Sequence, residues 1–301
     1  MKANQEQANK NARQPVCVPP EASGDLTDMF KKIKKERGRP LFVLASDYIE
    51  DGVCAEIHSW KQELKKVAEG GNLDILVHSL GGDLHACYMV ARILSRCLDV
   101  WEALVPQYAA SGATLIRLGS SKIIMSEIAR LSPLDPQVIS KRREKFFAGE
   151  RQSPLEAFQA TRHLREFALT SLDLVMRFLL DQDVNPKLAL ETASNLSMRL
   201  VEPILGKIEP YDLGAFSLDS NVAKEYCKRV GSPTNHAKKT QRRVQPRILV
   251  EMYPAHEFVI DLEEARALQF EVSEPSSEIG ALFDELRPPL SQVKTYLGFV
   301  D

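Results

Sequence analysis

"DILVHSLGGDLHACYMVARILSRC", Asp74 to Cys97, is the stretch from which the fold is read. It opens as a continuous apolar run, breaks at Gly81-Gly82, and resumes after Asp83 with apolar residues at helical spacing. A buried strand, a turn and a helix in that order make the β-α unit of a parallel sheet. Two adjacent glycines at the junction permit φ above zero and let two backbone N–H groups point the same way, because no Cβ blocks the approach. A tight turn needs the same freedom, so the pair alone names no chemistry. No Gly-Lys-Ser/Thr follows, which excludes a nucleotide phosphate loop of that type.

Outward from this unit the same alternation repeats. "LFVLAS" from Leu41 reads as a strand, followed by a helix from about Val53 to Ala68 that ends at Gly70-Gly71. Downstream, "VWEALVP" from Val100 is a strand, "SGATLIRLGS" from Ser111 a helix and "KIIMSE" from Lys122 a strand. The expected fold class is α/β, with stacked β-α-β units and a parallel sheet. From Pro154 to Leu200 helical patterning carries almost no strand signal, so an added helical layer is expected. The sequence divides into a disordered tail (1–25), a core (26–150), a helical extension (151–230), an exposed basic loop (231–246) and a C-terminal return to the core (247–301). In that return, "AHEFVIDLEEARALQF" reads as a strand and a helix with Asp261 at the N-cap, and the Pro-, Ser- and Glu-rich remainder as a loosely packed tail with one short helix near Ala281.

Composition removes several function classes. The chain has 301 residues, 44% of them hydrophobic, and a formal net charge of −2, so no whole-molecule field demands nucleic acid or an anionic membrane. The basic run "KKTQRRVQPR" (238–247) has no interleaved aromatics and reads as a solvated loop rather than a nucleic-acid surface. Five cysteines, an odd number without a C-x-x-C pair, read as reduced thiols of a cytoplasmic protein. Neither an export signal nor an apolar run long enough to span a bilayer is evident. Cys54 and His58 share a helix face without further ligands, so no metal is expected, and without G-x-G-x-x-G no nicotinamide cofactor is expected either.

In an open parallel sheet, functional groups collect at the carboxyl ends of the strands. Three loops fall there: His78–Asp83, Tyr108–Thr114 and Leu131–Gln137. Ser111 sits among small residues at the start of a helix, where a serine is either an N-cap or a nucleophile. Gly81-Gly82 lies one β-α unit upstream, so the two loops can meet over one substrate carbonyl.

These loops carry a resemblance. "ILVHSLGGD" followed by "VPQYAASGATLIRLGSSKIIMSEIARLSPLDPQ" resembles the Clp/crotonase superfamily, and within it the serine dehydrogenase proteinase family related to signal peptide peptidase A. "YPAHEFVIDLEEARALQFEV" from Tyr253 resembles that family's C-terminal Tyr-Pro-x-His segment. The resemblance implies that Ser111 is the nucleophile and that the N–H of Gly82, with those of Gly81 and Gly112, stabilises the oxyanion. It implies acyl-enzyme hydrolysis of peptide bonds, on peptides or unfolded segments, by a homo-oligomer of trimeric or hexameric size. The alternative is a Clp-fold scaffold that keeps the pocket and lacks an efficient base.

Serine needs a base within hydrogen-bond reach. No histidine lies between Ser111 and His163, so the Clp arrangement of a histidine shortly after the serine is absent. The remaining candidates are His256 and, by analogy with relatives that use lysine, Lys141, with Lys145 beside it in a highly charged run. Asp135 either orients the base or caps a turn between two prolines. His163 reads as a surface residue among Arg162, Arg165 and Glu166. His78 is expected to position the turn rather than move protons, and Arg117 to meet a carboxylate across an oligomer interface.

Overall fold

The structure is a computed structural model and describes residues 16–18, 23–135, 138–139, 151–152, 154–206, 210–231 and 245–301. Lys141, Lys145, Pro136, Gln137 and most of the expected basic loop lie outside the described residues. Two compact units divide the chain. The first comprises Met1–Leu134, Lys224–Leu249 and Glu257–Asp301, and the second Asp135–Ala223 and Val250–His256.

The first unit opens with β1 (Val16–Val18) and α1 (Ser23–Arg37), followed by β2 (Leu41–Ser46). Two short helices, α2 (Asp51–Ser59) and α3 (Lys61–Glu69), lead to β3 (Leu73–His78) and α4 (Leu84–Cys97). The chain continues through β4 (Trp101–Val105), the two-residue β5 (Tyr108–Ala109), α5 (Gly112–Arg117), β6 (Lys122–Met125) and β7 (Arg130–Leu131). Strands β2, β3, β4 and β6 are mutually parallel neighbours in that order, as the repeating β-α pattern predicts. Every residue of β2 and β3 is buried, which is why both read as mainly apolar runs, broken only by Ser46, Asp74 and His78, rather than as alternating ones.

The second unit holds the hairpin of β8 (Val138–Ile139) and β9 (Arg151–Gln152), then α6 (Pro154–Asp181) and α7 (Pro186–Leu205). Ala189, Ala193, Ser197 and Val201 recur every fourth residue along the buried face of α7. The small side chains permit close approach to α6, and the Ser197 hydroxyl donates to the Ala168 carbonyl at 2.6 Å. Helix α8 (Pro210–Gly231) follows, and the boundary between units falls within it.

After a short π-helix (Ile248–Met252), the chain forms α9 (Leu262–Ala267), β10 (Val272–Ser273), α10 (Ser277–Leu290) and β11 (Thr295–Phe299). Asp261 caps α9 as expected, its carboxylate accepting from the Glu264 N–H at 2.9 Å. The strand expected through His256–Ile260 is reduced to one antiparallel bridge, Leu131 to Ile260. The tail expectation is also replaced. Strand β11 is inserted antiparallel between β1 and β2, and β10 extends the other edge beside β6, so the sheet runs β1-β11-β2-β3-β4-β6-β10. Within the stretch read as a disordered tail, Val16–Val18 pairs with Thr295–Leu297.

The reason lies in periodicities that the polar composition hides. Ile279, Phe283, Leu286 and Leu290 form one stripe of α10 and pack with Leu26, Phe30 and Ile33 of α1 over the Leu41, Val43 and Ala45 face of β2. Phe30 meets Tyr296 of β11 edge-on at 5.0 Å, and Phe42, Trp60 and Phe299 cluster on the opposite face. At the amino ends of the strands, Arg37 bridges the buried Asp74 (2.6 Å) and Glu102 (2.8 Å), while Arg39 takes the other Glu102 oxygen at 2.7 Å. The hydrogen bond to Asp74 raises the Arg37 pKa; burial disfavours the Glu102 carboxylate, but the two arginines together hold its pKa below the usual range.

Phe283→Ala is expected to destabilise the protein by about 3–5 kcal/mol, the cost of a cavity in a packed core. Urea or thermal unfolding reads it, and a loss below about 1 kcal/mol would restore the loosely packed tail.

Candidate active site

The site grows from the way loops continue pairing beyond the ends of the main strands. Ile49, after β2, bridges to Gly82, after β3; Ser79 bridges to Ala109 of β5; β5 pairs in parallel with β7; and Leu131 of β7 exchanges two hydrogen bonds with Ile260. These rungs fix three loops against one another at the carboxyl edge of the sheet, where substrate chemistry is expected in parallel folds.

Ser111 follows β5 with φ 46° and ψ −120°, a conformation rare and strained for a residue with a side chain. Its N–H donates to Ser132 Oγ at 2.8 Å, and its carbonyl accepts the first turn of α5 from the Thr114 N–H at 2.8 Å. Thr114 is buried, its hydroxyl 2.7 Å from the Ala109 carbonyl and 3.0 Å from that of Ser132, and it accepts the Ser132 N–H at 3.2 Å. Ser132 and Thr114 therefore clasp the serine turn from both sides. Neither was singled out from sequence; the available signal was a polar β-branched residue amid the small and apolar residues that open the helix "GATLIR".

The glycine turn is set by close approach. At Gly82 an added Cβ would collide with the Ile49 backbone, and at Gly81 (φ 111°) it would fall 2.7 Å from Ser111 Cβ. The Ile49 N–H donates to the Gly81 carbonyl and the Ile49 carbonyl accepts from the Asp83 N–H, both at 2.8 Å. In such a parallel bridge the backbone groups of the middle residue face the other way. The Gly82 N–H is consequently turned from Ile49, and a Cβ built on Gly112 would sit 3.6 Å from the Gly82 nitrogen while running into Cys87 Sγ. Among the described residues, neither the Gly82 nor the Gly112 N–H has a hydrogen-bond acceptor. The Gly81 N–H differs: it donates to Ser79 Oγ at 3.1 Å. The Asp83 side chain caps α4 by accepting from the Ala86 N–H at 2.8 Å.

His78, at the end of β3, is buried beside the Tyr108 ring, and among the described residues its Nδ1 has no hydrogen-bond partner. Burial pushes its pKa down to about 4, so the imidazole is neutral at physiological pH. Among the described residues Arg117 makes no ion pair with a carboxylate. It is buried in the first unit with its guanidinium 3.4 Å over the Phe270 ring, and burial lowers its pKa to about 9. The guanidinium meets the Phe270 face of its own chain, whereas the expectation from sequence is a carboxylate across an oligomer interface.

In the second unit the structure brings Asp135 and His256 together, with Nδ1 to Oδ2 at 3.8 Å. Asp135 is buried and His256 half-buried. This spacing suits an ion pair when the imidazole is protonated but is too long for a direct hydrogen bond. His163 is exposed and 3.7 Å from Glu166, as its setting in the sequence predicts. Among the described residues no group of three His, Cys, Asp or Glu is placed to hold a metal, and no described helix is long and apolar enough to cross a membrane.

Residues 61–208 match the family described as ClpP-like SDH-type serine proteinase, which bears out the resemblance carried by the loops. The matched stretch contains Gly81, Gly82, Ser111, Gly112, Ser132 and Asp135; His256 lies beyond it. An uncharacterized protein of Methanocaldococcus jannaschii is 32% identical over 161 residues, covering 51% of this chain and 55% of that protein. A second uncharacterized protein from the same organism is 35% identical over 66 residues, 22% of this chain and 23% of that protein. The chain thus spans about half the length of the first relative and under a quarter of the second. Among solved structures, a membrane-bound stomatin-specific protease aligns at 13% identity over 51% of this chain and 69% of its own, with a TM-score of 0.32. A ClpP1 variant from Listeria monocytogenes aligns at 13% identity over 34% and 58%, with a TM-score of 0.28.

The His78 environment sets a pH dependence. The folded pKa is about 4 against 6.5 in the unfolded chain, so the unfolded state binds the extra proton between those values. His78 then costs no stability above pH 6.5 and up to about 3 kcal/mol as pH falls to 4. His78→Leu is expected to flatten the dependence of the urea midpoint between pH 7 and 5; an unchanged slope would place the titrating proton elsewhere.

Proposed function

For a chain whose residues 61–208 match the ClpP-like SDH-type serine proteinase family, we propose the activity of a serine peptidase with Ser111 as nucleophile. The observation that carries the reading is the strained Ser111 turn with two N–H donors, Gly82 and Gly112, lacking acceptors beside it. A positive φ at a side-chain-bearing residue is sustained only where surrounding bonds impose it, and such strain concentrates at reactive positions. Free amides held by backbone pairing offer a fixed site for an oxyanion, with no reorganisation needed when the charge develops.

Ser111 Oγ attacks the scissile carbonyl as a base removes its proton. The tetrahedral oxygen is received by the Gly82 and Gly112 N–H groups. Collapse expels the amine, protonated by the same base, and water then cleaves the ester on Ser111. His256, with Asp135 beside it, is proposed as the base ahead of Lys141. A carboxylate 3.8 Å from Nδ1 stabilises the imidazolium that forms when Nε2 accepts the proton. Peptides or unfolded segments as substrates, and assembly into trimers or pairs of trimers, belong to the same proposal.

A fluorophosphonate probe is expected to label the wild-type protein and not Ser111→Ala. His256→Ala is expected to slow labelling by at least about 100-fold, within the usual range for loss of a general base, with Lys141→Ala close to wild type. No labelling of folded wild-type protein would sink the peptidase reading, and a reversed order of the two variants would transfer the base to Lys141.

A further inference from the structure

Three residues before Ser111, the wall of β5 and β7 opens into a cavity of about 340 Å³. Its lining combines Gln107 and Tyr108, the segment Glu127–Arg130, and Val259 and Asp261 from the segment that leads into α9. Three residues of chain span at most about 10 Å, so a peptide held at Ser111 can place a neighbouring side chain in this space. The volume is enough for one long side chain.

Its chemistry is asymmetric. The one cation, Arg130, is already engaged: its guanidinium lies 4.6 Å over the Tyr108 ring and donates to the Tyr108 hydroxyl at 2.9 Å. The carboxylates are not. Glu127 has no hydrogen bond or ion pair among the described residues, and Asp261 uses one oxygen to cap α9, leaving the other. Ile128 and Val259 are large aliphatic residues, 53% and 44% exposed, on the same lining. An aliphatic stem with a cationic tip matches both features, since the stem covers Ile128 and Val259 while the tip meets Glu127 and Asp261. The contacts with the neutral Tyr108 leave the Arg130 charge in place, so the lining sets two carboxylates against one guanidinium, an excess of negative charge that disfavours an acidic side chain and that a purely apolar one would leave unmet.

We infer that this cavity is the subsite for a lysine or arginine side chain of the peptide substrate, an inference that rests on Ser111 being the nucleophile. Glu127 and Asp261 then act as specificity-determining residues rather than catalytic ones.

The test uses the full chain carrying Ser111→Ala and fluorescent hexapeptides identical except for lysine or norleucine at each position in turn, read by anisotropy. At one register the lysine peptide is expected to bind about fivefold or more tightly than its norleucine twin, a gap that narrows as salt is raised. Glu127→Gln combined with Asp261→Asn, which keeps the helix cap, is expected to bring the ratio below about twofold with the melting temperature unchanged. Equal affinities for the two peptides at every register, or a ratio that survives the double substitution, would overturn the subsite. The two proposals fail separately. Probe labelling at Ser111 without lysine preference removes the subsite alone, whereas lysine-selective binding without labelling removes the peptidase reading and leaves a binding site for basic peptides.

Discussion

Two backbones cannot approach closely when a side chain stands between them, and the site depends on that constraint at Gly82. Ile49 binds the groups on either side of this residue, so the loops after β2 and β3 are joined backbone to backbone. Because the bridge engages the carbonyl of Gly81 and the N–H of Asp83, the N–H of Gly82 is left facing the opposite side, near Gly112. One missing Cβ thus decides loop pairing, turn direction and the placement of a free donor. A second close approach, of Gly112 to Cys87 Sγ, sets the start of α5 against α4.

The serine turn is held differently, by hydroxyls. Ser132 and Thr114 satisfy the Ser111 N–H and the neighbouring carbonyls in a buried cluster, where an unmet hydrogen bond costs more than on the surface. Strain at Ser111 is balanced locally by these bonds, and the paired loops transmit their rigidity to it. The amino end of the sheet is closed by the Arg37, Arg39, Asp74 and Glu102 network instead, so the two ends carry different chemistry: fixed charge at one, free backbone donors at the other.

Much of this was legible in the sequence because the signals are local. Strands β2, β3, β4 and β6 announced themselves as short apolar runs, α4 by its spacing, Asp261 by its place before a helix, and Gly81-Gly82 and Ser111 by small residues at strand-to-helix junctions. Other features depend on partners far along the chain. Strand β11 falls in the stretch read as a loosely packed tail until it is seen between β1 and β2, and the stripe of α10 is interrupted by Pro288 and Pro289 and flanked by charges. Arg117 looked like an interface residue because no sequence rule foretells that Phe270, more than 150 positions away, supplies its partner.

By itself the sequence determined the α/β class, the β-α repeat, the glycine turn and the serine, since each follows from periodicity or from the conformational limits of single residues. Tertiary structure alone decided which amides remain without acceptors, that the Gly81 N–H is taken by Ser79 while those of Gly82 and Gly112 are not, and that Asp135 lies beside His256. Those facts are matters of register and approach between distant segments. A hydrogen bond is fixed by the position of both of its ends, and a sequence records only one end at a time.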